Sequence, residues 1–348
     1  MATIVLNGRI CAHANVSGAE RYASNVFSRL QNSIKHRYVI VRPKHHSIGW
    51  KGHAWEQTVL PGICRREKAA LLFCPSGSVP LVTGGVPVVA TVLDLSFRWF
   101  PGAYRLAFRA FYRMMTGLVM YKATRVVSIS EGERTRISEV YARNRQKLRV
   151  VRLGVAEEFF SIQPNGLSGR PNILYVGSTN PRKNIVGLLQ AFQVVLEKIP
   201  HTLRIVGTAG PQFRCDPAVA RLVHAIPPDR LEVVGYISDE SRLRELYGEA
   251  SLFAFPSFYE AFGLPVLEAM AAGVPVVASD IPALREVGGD CILYCQPQDP
   301  RSIAEAILDG VSGGASLVDH AKKRAREFTW DKCAASLEAV FDEVLQTA

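Results

Sequence analysis

The sequence predicts an α/β protein of two domains, each built on a parallel, doubly wound sheet. The chain has 348 residues, enough for two separate cores. Short apolar segments such as ILYVG, LRIVG and LEVVG alternate with helical segments in its second half, a pattern that favours parallel strands with crossover helices. A segment rich in Pro, Gly and Ser at 161–171 is typical of a linker. We therefore expect domains at 1–160 and 172–325, followed by a C-terminal helix at 326–348.

Composition is that of a globular protein, but the charge is unevenly spread. Hydrophobic residues make up 48% and charged residues 21% of the chain, and no apolar run approaches the ~18 residues of a membrane span. The N-terminus does not resemble a signal peptide and the seven cysteines include no Cys-x-x-Cys pair, so we expect a cytoplasmic protein with reduced thiols. The first 160 residues carry 24 Lys and Arg against 9 Asp and Glu, and the remainder 17 against 22. This asymmetry favours an anionic partner for the first half: a membrane surface, a pyrophosphate-linked lipid or a nucleic acid.

The stretch 252–279 is predicted to form a strand, a loop, a helix and a second strand. A helix that begins directly after a strand presents unpaired amides and a partial positive charge, which bind phosphate. Glu260 in the loop is placed to accept hydrogen bonds from sugar hydroxyls, and Glu268 on the helix from a ribose. Two solvated glutamates on a structural crossover would give the same spacing. The candidate phosphate donors are the amides of Phe262, Gly263 and Leu264.

A basic turn, GSTNPRKN, follows the first strand of the second half. Arg182 would neutralise a diphosphate as a planar fork and Lys183 as a point charge. Adjacent basic residues in a loop are otherwise usually solvated, so the turn alone leaves both interpretations open.

The first half contains a strand at Val86–Leu95 that includes Asp94, and a helix at Ala103–Tyr121. Three arginines recur every fourth residue on this helix and form one basic stripe. The stripe is either a solvated face or a surface for a membrane or an anionic, lipid-linked acceptor. Its members are Arg105, Arg109 and Arg113.

The stretch FPSFYEAFGLPVLEAMAAGVPVVASDIPALREV resembles the signature of the family-four retaining glycosyltransferases, in which two glutamates are separated by seven residues. The family usually has Gly after the first glutamate, where this chain has Ala261. The resemblance extends from Asn7 to about Leu345. It implies the GT-B fold, in which two Rossmann-like domains face a cleft and the last helix crosses back to the first domain.

Three further segments resemble this family. NGR and SGAERYASNV are similar to its glycine-rich loop, which implies that Gly18 lies beside the donor diphosphate. VGSTNPRKN is similar to its diphosphate-binding turn, whose lysine corresponds to Lys183; many members have Arg after the glycine, where Ser178 follows Gly177 here. Relatives carry His-Asp in the segment TVLDLSFRWFP where this chain has Leu93 and Asp94. Leu93 keeps the backbone carbonyl but lacks the imidazole, so the sugar differs, activity is lower, or another residue makes the contact.

The resemblance implies a retaining transferase that moves a sugar from a nucleotide-diphospho-sugar to a saccharide or lipid-linked acceptor in polysaccharide or lipopolysaccharide assembly. GDP-mannose is the first donor we expect. Glu260, Lys183 and Arg182 would be catalytic, and the departing phosphate would help to deprotonate the acceptor. No Asp-x-Asp occurs in the sequence, which fits catalysis without metal or cofactor. We expect a cytoplasmic protein, for which peripheral association with the inner face of the membrane is a further option.

Two rival interpretations remain from the sequence. One is another sugar-nucleotide enzyme of the same fold, an epimerase or phosphorylase, although no acid–base pair for such chemistry is evident. The other is a relative that binds sugar nucleotides with weakened catalysis, which Leu93 and Ala261 favour. Nucleic-acid binding is not expected, because the basic half lacks a nucleic-acid motif.

Overall fold

The structure is a computed structural model that describes residues 1–12, 18–43, 50–163, 170–208 and 216–347. Most of the predicted linker, and the loop before Gly18, lie outside the described residues. The chain forms two compact units. The first unit comprises Met1–Leu95, Ala110–Gly154 and Thr329–Ala348, and the second comprises Ser96–Arg109 and Val155–Phe328.

The first unit contains a parallel six-stranded sheet in the order β2-β1-β3-β4-β5-β6. Its central strands are buried apolar runs, as expected when helices cover both faces of a parallel sheet. The strands are β1 (Thr3–Asn7), β2 (Arg37–Val41), β3 (Leu71–Cys74), β4 (Val88–Val92), β5 (Arg125–Ser128) and β6 (Leu148–Val150). The helices up to this point of the chain are α1 (Gly18–Gln31), α2 (Trp50–Thr58), α3 (Leu60–Arg66), α4 (Ser96–Trp99), α5 (Leu106–Lys122) and α6 (Glu131–Val140), of which α4 and the first residues of α5 belong to the second unit.

The second unit contains another parallel six-stranded sheet, in the order β12-β11-β10-β7-β8-β9. Its strands are β7 (Asn172–Val176), β8 (Thr202–Val206), β9 (Leu231–Gly235), β10 (Leu252–Phe255), β11 (Val276–Ser279) and β12 (Leu293–Cys295). Its remaining helices are α7 (Ile185–Val195), α8 (Pro217–His224), α9 (Glu240–Glu249), α10 (Leu264–Ala272), α11 (Pro282–Gly288), α12 (Pro300–Gly313) and α13 (Val318–Ala325). Two parallel sheets with flanking helices confirm the predicted fold class.

In each sheet the strand order reverses beside the first strand. The reversal lies between β1 and β3 in the first unit and between β7 and β10 in the second. Ligands of open α/β sheets bind outside the carboxyl ends of the strands at such a reversal. The loops that follow these four strands are therefore where functional side chains are expected.

The last helix, α14 (Trp330–Thr347), belongs to the first unit. Its buried Phe341 packs against Phe73 of β3, with ring centroids 5.3 Å apart. Acidic side chains flank this apolar side: Glu338 accepts a hydrogen bond from Tyr38 at 2.6 Å, and Glu343 accepts one from Arg125 at 2.8 Å. The helix is held to the first unit by burial, a hydrogen bond from a phenol and an ion pair.

Two predicted elements are shorter than expected. The strand predicted at Val86–Leu95 is β4, which ends at Val92, and the amide of Leu95 donates to the Glu133 carboxylate at 2.7 Å instead of to a neighbouring strand. The helix predicted at Ala103–Tyr121 begins only at Leu106. Tyr104 is extended, with φ −121° and ψ 150°, and its hydroxyl lies 2.5 Å from that of Ser96, which prevents an earlier start.

Candidate active site

The main candidate site lies at the strand-order reversal of the second unit. The loop after β7 carries Arg182 and Lys183, and the loop after β10 carries Glu260. Because β7 and β10 are neighbours, their carboxyl ends bring together residues that are 77 positions apart in the chain. The topology thus assembles the predicted catalytic residues at one place.

Lys183 and Glu260 form a buried ion pair. Nζ of Lys183 donates to Oε1 of Glu260 at 2.5 Å, and the side chains are only 9% and 7% exposed. The ammonium also lies 4.9 Å from the centre of the Phe255 ring. Sequence reasoning gave the two residues separate ligands, a diphosphate and a sugar. The structure adds that the two side chains are joined directly to each other.

Asn184, which sequence reasoning missed, ties three loops of this site together. It adopts the left-handed conformation (φ 57°), and its side-chain oxygen caps α7 by accepting from the amide of Gly187 at 3.2 Å. Its amide nitrogen donates to the carbonyls of Pro256 at 2.9 Å and Pro297 at 2.7 Å. Asn favours both helix caps and positive φ, so its position directly after Lys183 was the available signal.

Arg182 links the same two loops through backbone contacts. Its carbonyl accepts from the amide of Phe258 at 2.9 Å, and its guanidinium donates to the carbonyl of Tyr259 at 3.3 Å. Phe100, which the second unit also contains, lies against both aromatic residues, with ring centroids 6.3 Å from Phe258 and 5.8 Å from Tyr259. The segment that leads into Glu260 is therefore held on two sides.

The helix α10 begins where the sequence predicts an anion site, directly after Gly263. Gly263 caps the helix at φ 110°, and a Cβ at this position would lie 2.4 Å from the Leu284 side chain, so glycine is required twice over. Phe262 is buried and Leu264 is the first helical residue. Ala261 is nearly buried, and its φ is not positive: among the described residues only Lys68 and Asn184 combine a side chain with positive φ. Alanine therefore fits the backbone here without strain.

Glu268 is oriented by a tyrosine. It is 5% exposed on α10, and Oε2 accepts from the Tyr247 hydroxyl at 2.9 Å. The Tyr247 ring packs edge-on against Phe159 and beside Phe253, at 5.5 and 5.6 Å between centroids. The carboxylate is therefore buried, and it is not the solvated surface group that the spacing alone also allowed.

Ser178 and Gly177 lie in a tightly packed turn after β7. The carbonyl of Ser178 accepts from the Tyr175 hydroxyl at 2.9 Å, and its hydroxyl accepts from the Asn180 side chain at 2.6 Å. Burial, and then the nearby charge of Glu260, raise the pKa of Tyr175, so its phenol remains a hydrogen-bond donor. Gly207 of the neighbouring loop packs so closely that a Cβ there would lie 2.0 Å from the Gly177 carbonyl.

The predicted residues of the first half lie on several separate elements. Gly18 is exposed and begins α1, while Leu93 and Asp94 are half-buried directly after β4. Arg105 precedes α5, so the basic stripe contains two helical residues, Arg109 and Arg113, and one residue before the helix. No helix among the described residues is both long and apolar enough to span a bilayer.

Comparisons with known proteins agree with this fold. Residues 170–312, most of the second unit, match the family model described as glycosyl transferases group 1. The O-antigen chain mannosyltransferase B of Escherichia coli is 31% identical over 223 residues, which are 60% of this chain and 58% of that protein. This chain thus matches less than two thirds of that relative's length.

Two solved structures resemble the whole chain. Sucrose-phosphate synthase from Thermosynechococcus elongatus superposes with a TM-score of 0.77 at 22% identity, covering 100% of both chains. Anabaena Alr3699/HepE in complex with UDP-glucose gives a TM-score of 0.75 at 15% identity, covering 99% of this chain and 100% of that one. At these identities the likeness establishes the fold, which is that of the GT-B glycosyltransferases.

Proposed function

We propose that this protein is a retaining glycosyltransferase that moves mannose from GDP-mannose to a saccharide or lipid-linked acceptor in polysaccharide assembly. The observation that carries the proposal is the buried Lys183–Glu260 pair beside the glycine-capped start of α10. The name of the E. coli relative, a mannosyltransferase of the O-antigen chain, supports the sugar and the pathway class. The nucleotide sugar bound to Alr3699/HepE supports the donor class.

The chemistry follows from charge. When the glycosidic bond breaks, the diphosphate gains negative charge. Preorganised cations and amides stabilise this charge, so they stabilise the transition state more than the bound substrate. Lys183, Arg182 and the amides of 262–264 would supply these groups. Glu260 would bind the sugar hydroxyls and so orient the sugar for the reaction. The departing phosphate would take the acceptor proton on the face that it leaves, so the anomeric configuration is retained.

The nucleotide would be held by Glu268, because carboxylate oxygens accept hydrogen bonds from ribose hydroxyls and Tyr247 fixes the orientation of this carboxylate. We propose that no metal ion is needed, because the cationic side chains and helix amides would take the role of Mg²⁺. The arginines at 105, 109 and 113, together with the exposed Leu106 and Met114, would contact an anionic bilayer or a lipid-linked acceptor.

The test is direct. The protein is incubated with GDP-mannose, GDP-glucose, UDP-glucose and UDP-galactose, with EDTA present, and released nucleoside diphosphate is measured. Release from GDP-mannose in EDTA is expected. Release from no donor would favour a binding protein with weakened catalysis, as Leu93 suggests, while a change of the sugar without release of nucleotide would favour an epimerase.

A further inference from the structure

The strand-order reversal of the first unit holds a second buried polar cluster. Asn7 ends β1, Ser78 follows β3, and Glu56 projects from α2. Oε1 of Glu56 accepts from the Asn7 side chain at 2.5 Å and from the Ser78 hydroxyl at 3.0 Å. Arg9 donates to the hydroxyls of Ser76 and Ser78 at 3.2 and 3.0 Å. The cluster therefore occupies the position in this sheet that Lys183 and Glu260 occupy in the other.

Three atoms of this cluster are buried without a hydrogen bond among the described residues. They are Nε of Arg9, Oε2 of Glu56 and Nδ1 of His53. Glu56 is fully buried and Arg9 is 5% exposed. Nε of Arg9 lies 3.7 Å from Oε1 of Glu56, and Nδ1 of His53 lies 3.6 Å from Oε2, so these atoms face one another just beyond hydrogen-bond distance. The result is a charged, buried cluster at the strand-order reversal, which is where open α/β sheets bind ligands.

His53 is the member of the cluster that a ligand can reach. Its side chain is 16% exposed, and its ring packs edge-on against Phe111 with centroids 4.8 Å apart. Nδ1 faces Oε2 of Glu56 at 3.6 Å. Burial opposes ionisation of Glu56, but His53, then Arg9 and Ser78, lower the pKa of its carboxyl below the ordinary value, so the carboxylate is an acceptor only. Because Nδ1 is the nitrogen directed at the carboxylate, Nε2 is the ring nitrogen that remains for a ligand.

We propose that His53, oriented by Glu56, binds a hydroxyl of the saccharide acceptor through Nε2. The inference rests on the proposed function and adds the residue that selects the acceptor. A saccharide fits better than an anion because Glu56 already compensates the charge of Arg9, and the cluster offers both donors and acceptors. His53 lies on α2 and is not one of the residues that the sequence pattern alone points to.

The first test is spectroscopic and uses protein with ¹⁵N-labelled histidine rings, loaded with GDP. The His53 signals are assigned by their loss in His53→Phe, and the shifts should show an Nδ1–H ring. Methyl α-mannoside should shift the Nε2 signal. In Glu56→Gln the amide nitrogen would face Nδ1, because the amide oxygen keeps the bonds to Asn7 and Ser78, so the ring should change to the Nε2–H form. The proposal is overturned if the Nε2 signal of His53 does not shift on addition of the saccharide, or if the tautomer of the ring is unchanged in Glu56→Gln.

The second test is kinetic. Methyl α-mannoside should stimulate release of GDP from GDP-mannose, and His53→Phe should raise the KM for the saccharide about five- to tenfold, as expected for one lost hydrogen bond, with GDP affinity at the wild-type level. His53→Gln, whose amide oxygen reaches the place of Nε2, should recover part of the loss. His320→Gln, an exposed histidine of α13, is the matched control and should change nothing. An unchanged KM in His53→Phe, or no stimulation of the wild type, contradicts the proposal. If GDP is not released at all, either with or without the saccharide, the proposed function itself is refuted.

Discussion

Nζ of Lys183 lies 2.5 Å from Oε1 of Glu260, and both side chains are buried at the carboxyl ends of adjacent strands. A diphosphate that enters this site would either bind the ammonium of Lys183 together with the carboxylate of Glu260, or displace that carboxylate from the ammonium. Lys183→Ala should therefore lose about 1.5–3 kcal/mol of a charge-assisted contact, and GDP affinity should fall about tenfold or more. Guanosine affinity should stay level, because guanosine carries no phosphate.

Isothermal titration of both ligands measures this difference. Lys198→Ala removes an exposed lysine of the same unit and is the matched control. Equal losses for GDP and guanosine in Lys183→Ala would indicate damage to the fold, and unchanged GDP affinity would remove Lys183 from the site.

Glu260→Gln separates positioning of the sugar from binding of the nucleotide. The variant keeps the shape of the side chain but leaves the ammonium of Lys183 without its carboxylate partner, so GDP should bind at least as tightly as to the wild type. Turnover of GDP-mannose should nevertheless fall steeply, because the sugar is no longer held in register. Steady-state kinetics measure the turnover, and calorimetric titration with GDP measures the affinity for the nucleotide. A variant with normal kcat and weak GDP binding would reverse the roles that we assign.

Tyr247→Phe removes the hydroxyl that orients Glu268 and leaves the ring packing in place. Wild-type protein should bind GDP more tightly than 2′,3′-dideoxy-GDP, because only GDP offers ribose hydroxyls to the carboxylate. Tyr247→Phe should narrow this preference, and Glu268→Ala should abolish it. If both variants keep the full preference for GDP, the ribose is held elsewhere.

The basic stripe predicts salt-dependent binding to membranes. Vesicles with anionic lipid should sediment the wild-type protein at low salt, and added salt should release it, because exposed charges are screened. Replacing Arg105, Arg109 and Arg113 with Gln should abolish co-sedimentation. Equal sedimentation with neutral vesicles, or none at low salt, would assign the stripe to a solvated face.

The matched control for the stripe removes the same charge from another part of the basic half. Arg65, Arg66 and Arg143 are exposed and can be replaced with Gln together. This variant should still bind the vesicles. If it loses binding equally, net charge and not the stripe attracts the protein. A soluble pyrophosphate that releases wild-type protein would point to a lipid-linked acceptor instead of the bilayer.

Docking of α14 should weaken in acid. Hydrogen bonds from Arg149, then from Arg125, lower the pKa of Glu343 below its ordinary value of 4.5. The stabilisation is complete above that value and is lost as the pH falls through the lower pKa of the folded protein. Glu343→Gln should lower the urea midpoint at pH 7, and its difference from wild type should shrink as the buffer is made more acidic than pH 4.5. Glu305→Gln, at an exposed site on α12, is the control. A difference that does not change with pH contradicts this account.

The sequence was sufficient to predict the elements and the loops that carry the site, because apolar runs and turn residues are local signals. The strand, loop, helix and strand of 252–279, and the basic turn after β7, follow from such signals and are present. The pairing of Lys183 with Glu260 could not be read in this way, since it depends on which strands are neighbours. The hydrogen bonds from Asn184 to two other loops were hidden for the same reason.

Helix boundaries failed where a tertiary contact overrides periodicity. The pattern of arginines continues through Arg105, but Tyr104 is held in an extended conformation beside Ser96, so α5 starts later. The cluster of Arg9, His53 and Glu56 carries no local pattern at all. Its members come from a loop and a helix that only the sheet order brings together.

The configuration of the product tests the central claim most directly. GDP-mannose labelled at the anomeric carbon is incubated with the protein and methyl α-mannoside, and the new glycosidic bond is followed by NMR. We expect GDP and an α-linked product from the first turnovers, in wild-type protein but not in Lys183→Ala. A β-linked product, or label that never leaves GDP-mannose while GDP binds normally, would contradict the account.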